Sequence, residues 1–371
     1  MINKKRLTKL IQKLISIDSQ NPPGNESEIV RFVESYLKGF GIKSRIVEFR
    51  KNRPNLIAVI KGKNKEHSIL ITPHLDTVPA GRGWKFGAFS GKIHKGRVYG
   101  LGATDCKGNL ASAIETICSL AEDNVQPKCD LIFAATSDEE TGSHLGLIPL
   151  IEKGVLKPDE AVVLDAEDFA IVVAQKGLIH LKVKIRGRRA HGAYPWLGEN
   201  AIDIAVKIIS QLKAQKIRSS KNKYLYPATV NVGTIRGGDK VNIVADWCEF
   251  ELDFRFLPGM SAQKIIKSLK SIISRYTRKY AIDIQSIQQP YVINKDHRLV
   301  SGLSWAMRKN KIRPQVKGSE GATVITFFQD KKIPAIATGF GQNGCFHVVN
   351  EYAKIDSLYK GSKILEDFLK P

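Results

Sequence analysis

The sequence predicts an α/β protein in two folded parts: a central mixed sheet flanked by helices, interrupted by an inserted α+β unit of ferredoxin-like order. Three observations carry this. The chain has 371 residues, more than the roughly 250 to 300 that a single hydrophobic core accommodates. Helical periodicities alternate with short β-branched apolar runs through the first half, the pattern of an α/β layer. From Leu178 onward apolar and polar residues alternate singly, as in a strand with one wet face. The expected division is a first part at 1–177, an inserted unit at 178–289, and a return to the first part at 290–371.

Two amphipathic helices open the chain, one carrying Leu7, Leu10, Ile11 and Leu14, the other Ile29, Phe32, Val33, Tyr36 and Leu37, with Pro22-Pro23-Gly24 breaking them apart. Apolar runs at 55–60 and 68–72 read as buried strands. A helix at 109–121 precedes another strand at 131–136. After Leu178 the reading is strand, helix on Ala201 to Leu212, strands near 229–233 and 250–254, helix on Ile265 to Ile273, and strand near 282–287, the β-α-β-β-α-β order of a ferredoxin-like unit. The chain after Tyr291 returns to the first sheet, with an apolar strand at 334–338.

Composition narrows the class. Hydrophobic residues at 43% and charged residues at 25% give enough apolar material for a dense core and argue against disorder. No uncharged apolar run approaches the roughly 18 residues of a membrane span, and the start, Met1-Ile2-Asn3-Lys4-Lys5-Arg6, lacks a signal-peptide core; a cytoplasmic protein is expected. Five scattered cysteines without a Cys-x-x-Cys pair indicate neither a disulfide framework nor a thiolate metal site. The net charge of +22 raises the question of nucleic acid. The lysines are spread over nearly every helix and loop, so a nucleic-acid partner is not expected; a solvated lysine-rich surface and electrostatic steering of an anionic small substrate both fit.

The chemistry-bearing residues fall at strand ends. His74-Leu75-Asp76 follows the strand ending at Thr72, where ligands bind in open α/β sheets. A ligating histidine commonly gives its other ring N–H to a carboxylate, a place for Asp76. Asp105 sits in the glycine-flanked loop Gly100 to Gly108 just before a helix; it is either a metal-reaching carboxylate or a loop cap. Asp138-Glu139-Glu140 crowds three carboxylates after an apolar strand, costly without a cation, although a solvated acidic turn is the alternative. Adjacent glutamates cannot face one metal equally, so one would bind it and the other act as base on bound water. Asp165 closes the apolar run at 161–164, and His347 lies in a loop rich in glycine and asparagine. Such nitrogen and oxygen ligands without cysteine suit two zinc ions sharing a carboxylate.

Together these segments resemble the zinc-dependent amidohydrolases and exopeptidases that include acetylornithine deacetylase, succinyl-diaminopimelate desuccinylase, aminoacylase and glutamate carboxypeptidase. The resemblance rests on His74-Leu75-Asp76-Thr77-Val78-Pro79, the loop Gly100 to Gly108, Asp138 to Gly142, His191 with Pro195, Gly198 and Asn200, and His347 through Asn350-Glu351-Tyr352. It implies a zinc-peptidase-like catalytic domain with an inserted lid and dimerisation domain. It implies two zinc ions, replaceable by cobalt or manganese, one on His74 and Asp165, the other on Glu140 and His347, with Asp105 bridging. Counting back from Lys176-Gly177 places the ligand on Asp165, with Glu167 as the lesser alternative. Glu139 becomes the general base, His191 steadies the oxyanion in the partner subunit's site, and Asn242 and Arg255 contact substrate; a structural salt bridge is the competing role for Arg255. The implied reaction is hydrolysis of the amide of a small N-acyl amino acid, with a di- or tripeptidase and a non-catalytic binding protein as the other readings. A homodimer through the lid is implied, and no membrane partner.

Overall fold

The computed structural model describes residues 1–215, 221–321 and 323–371. They form two compact units: one of Met1–Val173, Ile293–Lys317 and Thr323–Pro371, the other of Ala174–Val292 and a short segment beginning at Gly318.

In the first unit four parallel strands form the centre of the sheet, in the order Cys129–Ala135, Asn64–Thr72, Glu160–Val163 and Ala335–Ala337. Pro54–Ile60 and then Ser44–Glu48 continue it antiparallel on one side, and Ala170–Gln175 on the other. Strands covered on both faces read as continuous apolar runs, as in Leu131 to Ala135 and Ala161 to Val163. Because the four central strands point the same way, Thr72, Ala135, Val163 and Ala337 all end at one edge, and the four loops leaving that edge carry the candidate site.

Helix Lys107–Glu122 is buried nearly all round, and its buried hydroxyls find partners in a neighbouring helix. Ser112 and Thr116 hydroxyls bond carbonyls of Leu358 and Ser362 in helix Ile355–Leu369, and Ser119 Oγ donates to Glu366 at 2.7 Å. Helix Lys4–Ser16 buries Leu7, Leu10, Ile11, Leu14 and Ile15, and Asn3 caps it by accepting from Arg6 N. A three-stranded sheet of Lys92–His94, Arg97–Tyr99 and Tyr352–Lys354 has no counterpart in the sequence reading, since three-residue strands leave no periodicity to detect.

The second unit follows the order strand Gly177–Arg186, helix Ala201–Ala214, strands Thr229–Gly237 and Trp247–Phe256, helix Ala262–Ile273, strand Tyr280–Gln288. Its antiparallel sheet runs Thr229–Gly237, Trp247–Phe256, Gly177–Arg186, Tyr280–Gln288, so the ferredoxin-like order expected from sequence is present. Alternation explains the layering. Ile179, Leu181, Val183 and Ile185 join Phe250, Leu252, Phe254 and Phe256 in a core under both helices. Lys182, one position out of phase, meets Glu251 across the strands at 3.2 Å on the other face. Asn200 and Ser261 cap the two helices.

The contact boundaries lie a few residues from the divisions at 177 and 289 read from sequence. Strand Ala170–Gln175 is apolar to its end, and its last residues, Ala174 and Gln175, pair with Val292 and Tyr291, so the second unit begins within a strand rather than where alternation starts. No described helix is long and apolar enough to cross a membrane.

Candidate metal centre

Each central parallel strand delivers one part of the centre. Beyond Thr72, His74 is fixed by an isolated parallel bridge to Thr136 and is almost wholly buried. Its Nδ1 lies 3.0 Å from the backbone carbonyl of Asp76 and 3.6 Å from the Asp76 carboxylate. The ring is therefore oriented by the Asp76 backbone. The carboxylate, expected from sequence to serve the histidine, faces its ring and also holds the next turn: Oδ1 accepts from Glu139 N and Oδ2 from Glu140 N, each at 3.1 Å, and Oδ2 also takes Asn21 Nδ2 at 2.8 Å. Asp76 thus pins the turn that carries the two glutamates.

Asp105 faces His74 with one oxygen and His347 with the other: Oδ1 is 2.9 Å from His74 Nε2 and Oδ2 is 3.2 Å from His347 Nε2. Glu140 Oε2 is 3.1 Å from the same His347 nitrogen, and Asp165 Oδ1 is 4.0 Å from His74 Nε2. Two groups of ligand atoms result, His74 with Asp105 and Asp165, and Asp105 with Glu140 and His347, each confined within 4.8 Å. Glu139 belongs to neither, and its carboxylate has no hydrogen-bond or ion-pair partner among the described residues. Glu167, the alternative to Asp165, is also outside both groups and meets Lys317 Nζ at 3.3 Å.

The loops bearing these residues are tied together. Glu351, buried, accepts from the amides of Gly102, Thr104 and Asp105 at 2.9, 2.7 and 2.9 Å, fixing the Asp105 loop at three points. Asn109 Oδ1 accepts from Phe340 N. The loop after Ala337 runs so close to its neighbour that a Cβ at Gly339 would fall 1.6 Å from Ala166 O, so only glycine fits there. His347 itself sits at φ 56, an uncommon conformation for a non-glycine residue. The sequence named Glu351 without a role and passed over Asn109; a carboxylate bonding three backbone amides has no spacing signature.

Electrostatics separate the carboxyls. Burial alone would push the Asp105 carboxyl up, but His347 and His74 outweigh it and hold it well below the usual range. Burial pushes Asp165 well above its ordinary value, with Glu139 and Asp105 adding to it. Glu139 is driven up to about 8 by burial, against the pull of His74 and with Glu140 and Asp105 reinforcing it. His347 is raised to about 10 by its bonds to Asp105 and Glu140. Four acidic groups face only two histidines here, and Glu140 Oε1 is buried with no partner among the described residues. Two imidazoles and carboxylate oxygens without thiolates are the donor set for divalent zinc, cobalt or manganese, so the residues present fit two metal ions.

The remaining expected residues lie in the second unit. His191 pairs with Ile243 in an isolated antiparallel bridge, and Gly192 N donates to Asn242 O at 2.8 Å. Arg255 is held by Asp253 through Nε to Oδ1 at 2.8 Å and Nη2 to Oδ2 at 3.0 Å, the salt bridge that competed with a substrate role.

Histidines and carboxylates converging at the carboxyl edge of a parallel sheet, with one carboxylate between two ligand groups and a glutamate left free, define a metallohydrolase. The chain belongs to peptidase family M20/M25/M40, whose family model matches residues 70–370. It is similar to a succinyl-diaminopimelate desuccinylase of Orientia tsutsugamushi strain Boryong, 26% identical with 96% of this chain and 94% of the relative covered. It is also similar to an acetylornithine deacetylase of Vibrio atlanticus strain LGP32, 30% identical over 92% and 91%. Among solved structures, its fold matches that of the Bacillus subtilis YXEP protein, a dinuclear metal-binding peptidase of the M20 family, with TM-score 0.76, 19% identity, and 98% and 97% of the two chains covered.

Proposed function

We propose that this protein is a deacylase that hydrolyses the amide of a small N-acyl amino acid, with two zinc ions held by His74, Asp165, Asp105, Glu140 and His347. The observation that carries the dinuclear reading is the Asp105 carboxylate, one oxygen toward each histidine. When bound, such ions polarise an amide carbonyl and make water acidic enough to ionise near neutral pH. Glu139, free of other side-chain partners among the described residues and adjacent to Glu140, takes the proton from the attacking water as the new C–O bond forms. It returns that proton to the nitrogen as the C–N bond breaks, so a neutral amine leaves. Asp76 keeps Glu139 and Glu140 in their separate roles through their amides.

The choice of acyl amino acids rests on the two relatives matched across nine-tenths of their lengths; the net charge of +22 suits a carboxylate-bearing substrate of either kind. The fold likeness to a peptidase supports a second reading, a di- or tripeptidase of the same chemistry. Hydrolysis of acetylornithine, succinyl-diaminopimelate, other N-acyl amino acids and free dipeptides, with zinc and with chelator, tests the proposal. Chelator-sensitive cleavage of the acylated substrates is the expected result; cleavage of dipeptides alone would replace the deacylase with the peptidase.

The resemblance also assigns His191 to oxyanion stabilisation in a homodimer formed through the inserted domain. His191→Ala is then expected to lower kcat by roughly 10²- to 10³-fold, the range for losing one oxyanion donor, while the zinc content stays at wild-type level. Equal loss of zinc and rate would remove that role.

A further inference from the structure

The turn that presents Glu139 stands on a buried charge network outside the metal ligands. Asp138, the residue before it, has φ 69, a left-handed conformation that costs a non-glycine residue free energy and persists only when its surroundings impose it. The side chain shows what imposes it. Asp138 Oδ1 accepts from Arg53 Nη2 at 2.8 Å and from Thr141 Oγ1 at 2.6 Å, and Oδ2 accepts from Leu145 N at 3.0 Å. Arg53, 5% exposed, turns its Nε to Glu26 Oε2 at 2.7 Å, so one guanidinium spans two buried carboxylates. Gly24, at φ 81, lies flat against it; a Cβ there would come within 2.4 Å of Arg53 Cζ. Asn21 links this network to the other anchor of the turn, donating to Asp76 Oδ2 at 2.8 Å and to Thr141 Oγ1 at 3.0 Å.

We infer that Arg53 is a positioning residue for the reaction: by clamping Asp138 against Glu26 it fixes the turn from which Glu139 reaches the reacting water. This rests on the reading of Glu139 as base. The guanidinium is suited to the task because its planar fork satisfies two carboxylates in fixed directions, whereas a lysine ammonium is a point charge on a flexible stem. A misplacement of about 1 Å at a reacting group is enough to cost on the order of a hundredfold in rate.

The test is Arg53→Lys in the zinc-loaded full chain, with Asp138→Asn as the second variant should the first fold poorly. Amide hydrogen exchange is read by peptide, and kinetics are measured on the cleaved substrate. Expected are at least tenfold faster exchange confined to the segment around 138–145, two zinc ions still bound, kcat lowered roughly 10- to 100-fold with KM within about twofold, and no further loss when Arg53→Lys is added to Glu139→Gln. A merely structural role would instead raise exchange across the unit, lower Tm, and add its loss in full on the Glu139→Gln background; unchanged exchange at the turn would likewise overturn the inference. Full activity of Glu139→Gln alone would reject the base, a distinct result from rejection of the clamp.

Discussion

Glu139→Gln is expected to bind zinc as the wild-type chain does and to lose roughly 10²- to 10⁴-fold in kcat, the contribution of a positioned general base. The two glutamates differ in what holds them. Glu140 Oε2 lies 3.1 Å from His347 Nε2 and belongs to a ligand group; Glu139 has no side-chain partner among the described residues. Glutamine matches glutamate in shape, and the contact of Glu139 with the network below, its amide donating to Asp76 Oδ1 at 3.1 Å, is made by the backbone. The substitution therefore removes proton acceptance and little else. Metal analysis together with steady-state kinetics decides it: a loss of zinc equal to the loss of rate would move Glu139 among the ligands, and undiminished kcat would leave the water without this base. Because the proton that Glu139 accepts is the one it later gives to the leaving nitrogen, KM should change far less than kcat.

The sequence made most carriers of this chemistry legible because His74, Glu140 and Asp165 follow apolar strands that can be seen without a structure, whereas Asp105 and His347 lie in glycine-rich loops. His74, Asp105, Glu140, Asp165 and His347 stood out as candidates by their places in the sequence, the family resemblance assigned them as ligands, and the fold brings them into two overlapping ligand groups. The inserted unit was legible through alternation, from Leu178 through Ile185 and again in the strand ending at Phe256. What escaped is long-range and polar. Asp76 was assigned to His74, whose ring its carboxylate faces, but its second task, holding amides more than 60 residues away, left no trace in the sequence. Arg53 is one of 58 basic residues, and nothing local distinguishes the one that is buried between Glu26 and Asp138. Periodicity reports which face of an element is apolar; it carries no information about which buried charge meets which.

Asp105→Ala should abolish tight binding at both metal positions at once, whereas Asp165→Ala and His347→Ala should each weaken chiefly one. The argument is geometric. Asp105 is common to both ligand groups, with Oδ1 at 2.9 Å from His74 Nε2 and Oδ2 at 3.2 Å from His347 Nε2, while Asp165 and His347 each occur in only one. Removing it also removes the charge that lies between them, a carboxyl that the two histidines hold ionised against burial. Outer partners of metal ligands cost about 10- to 100-fold in affinity when lost, so a shared ligand should cost at least on the order of a hundredfold at each position. Titration of the metal-free variants with zinc against a chromophoric chelator measures this directly. Two weakened sites in Asp105→Ala, against one in each of the other two variants, would support the bridge; retention of one ion at wild-type affinity in Asp105→Ala would place Asp105 on a single metal and require another group to hold the pair together.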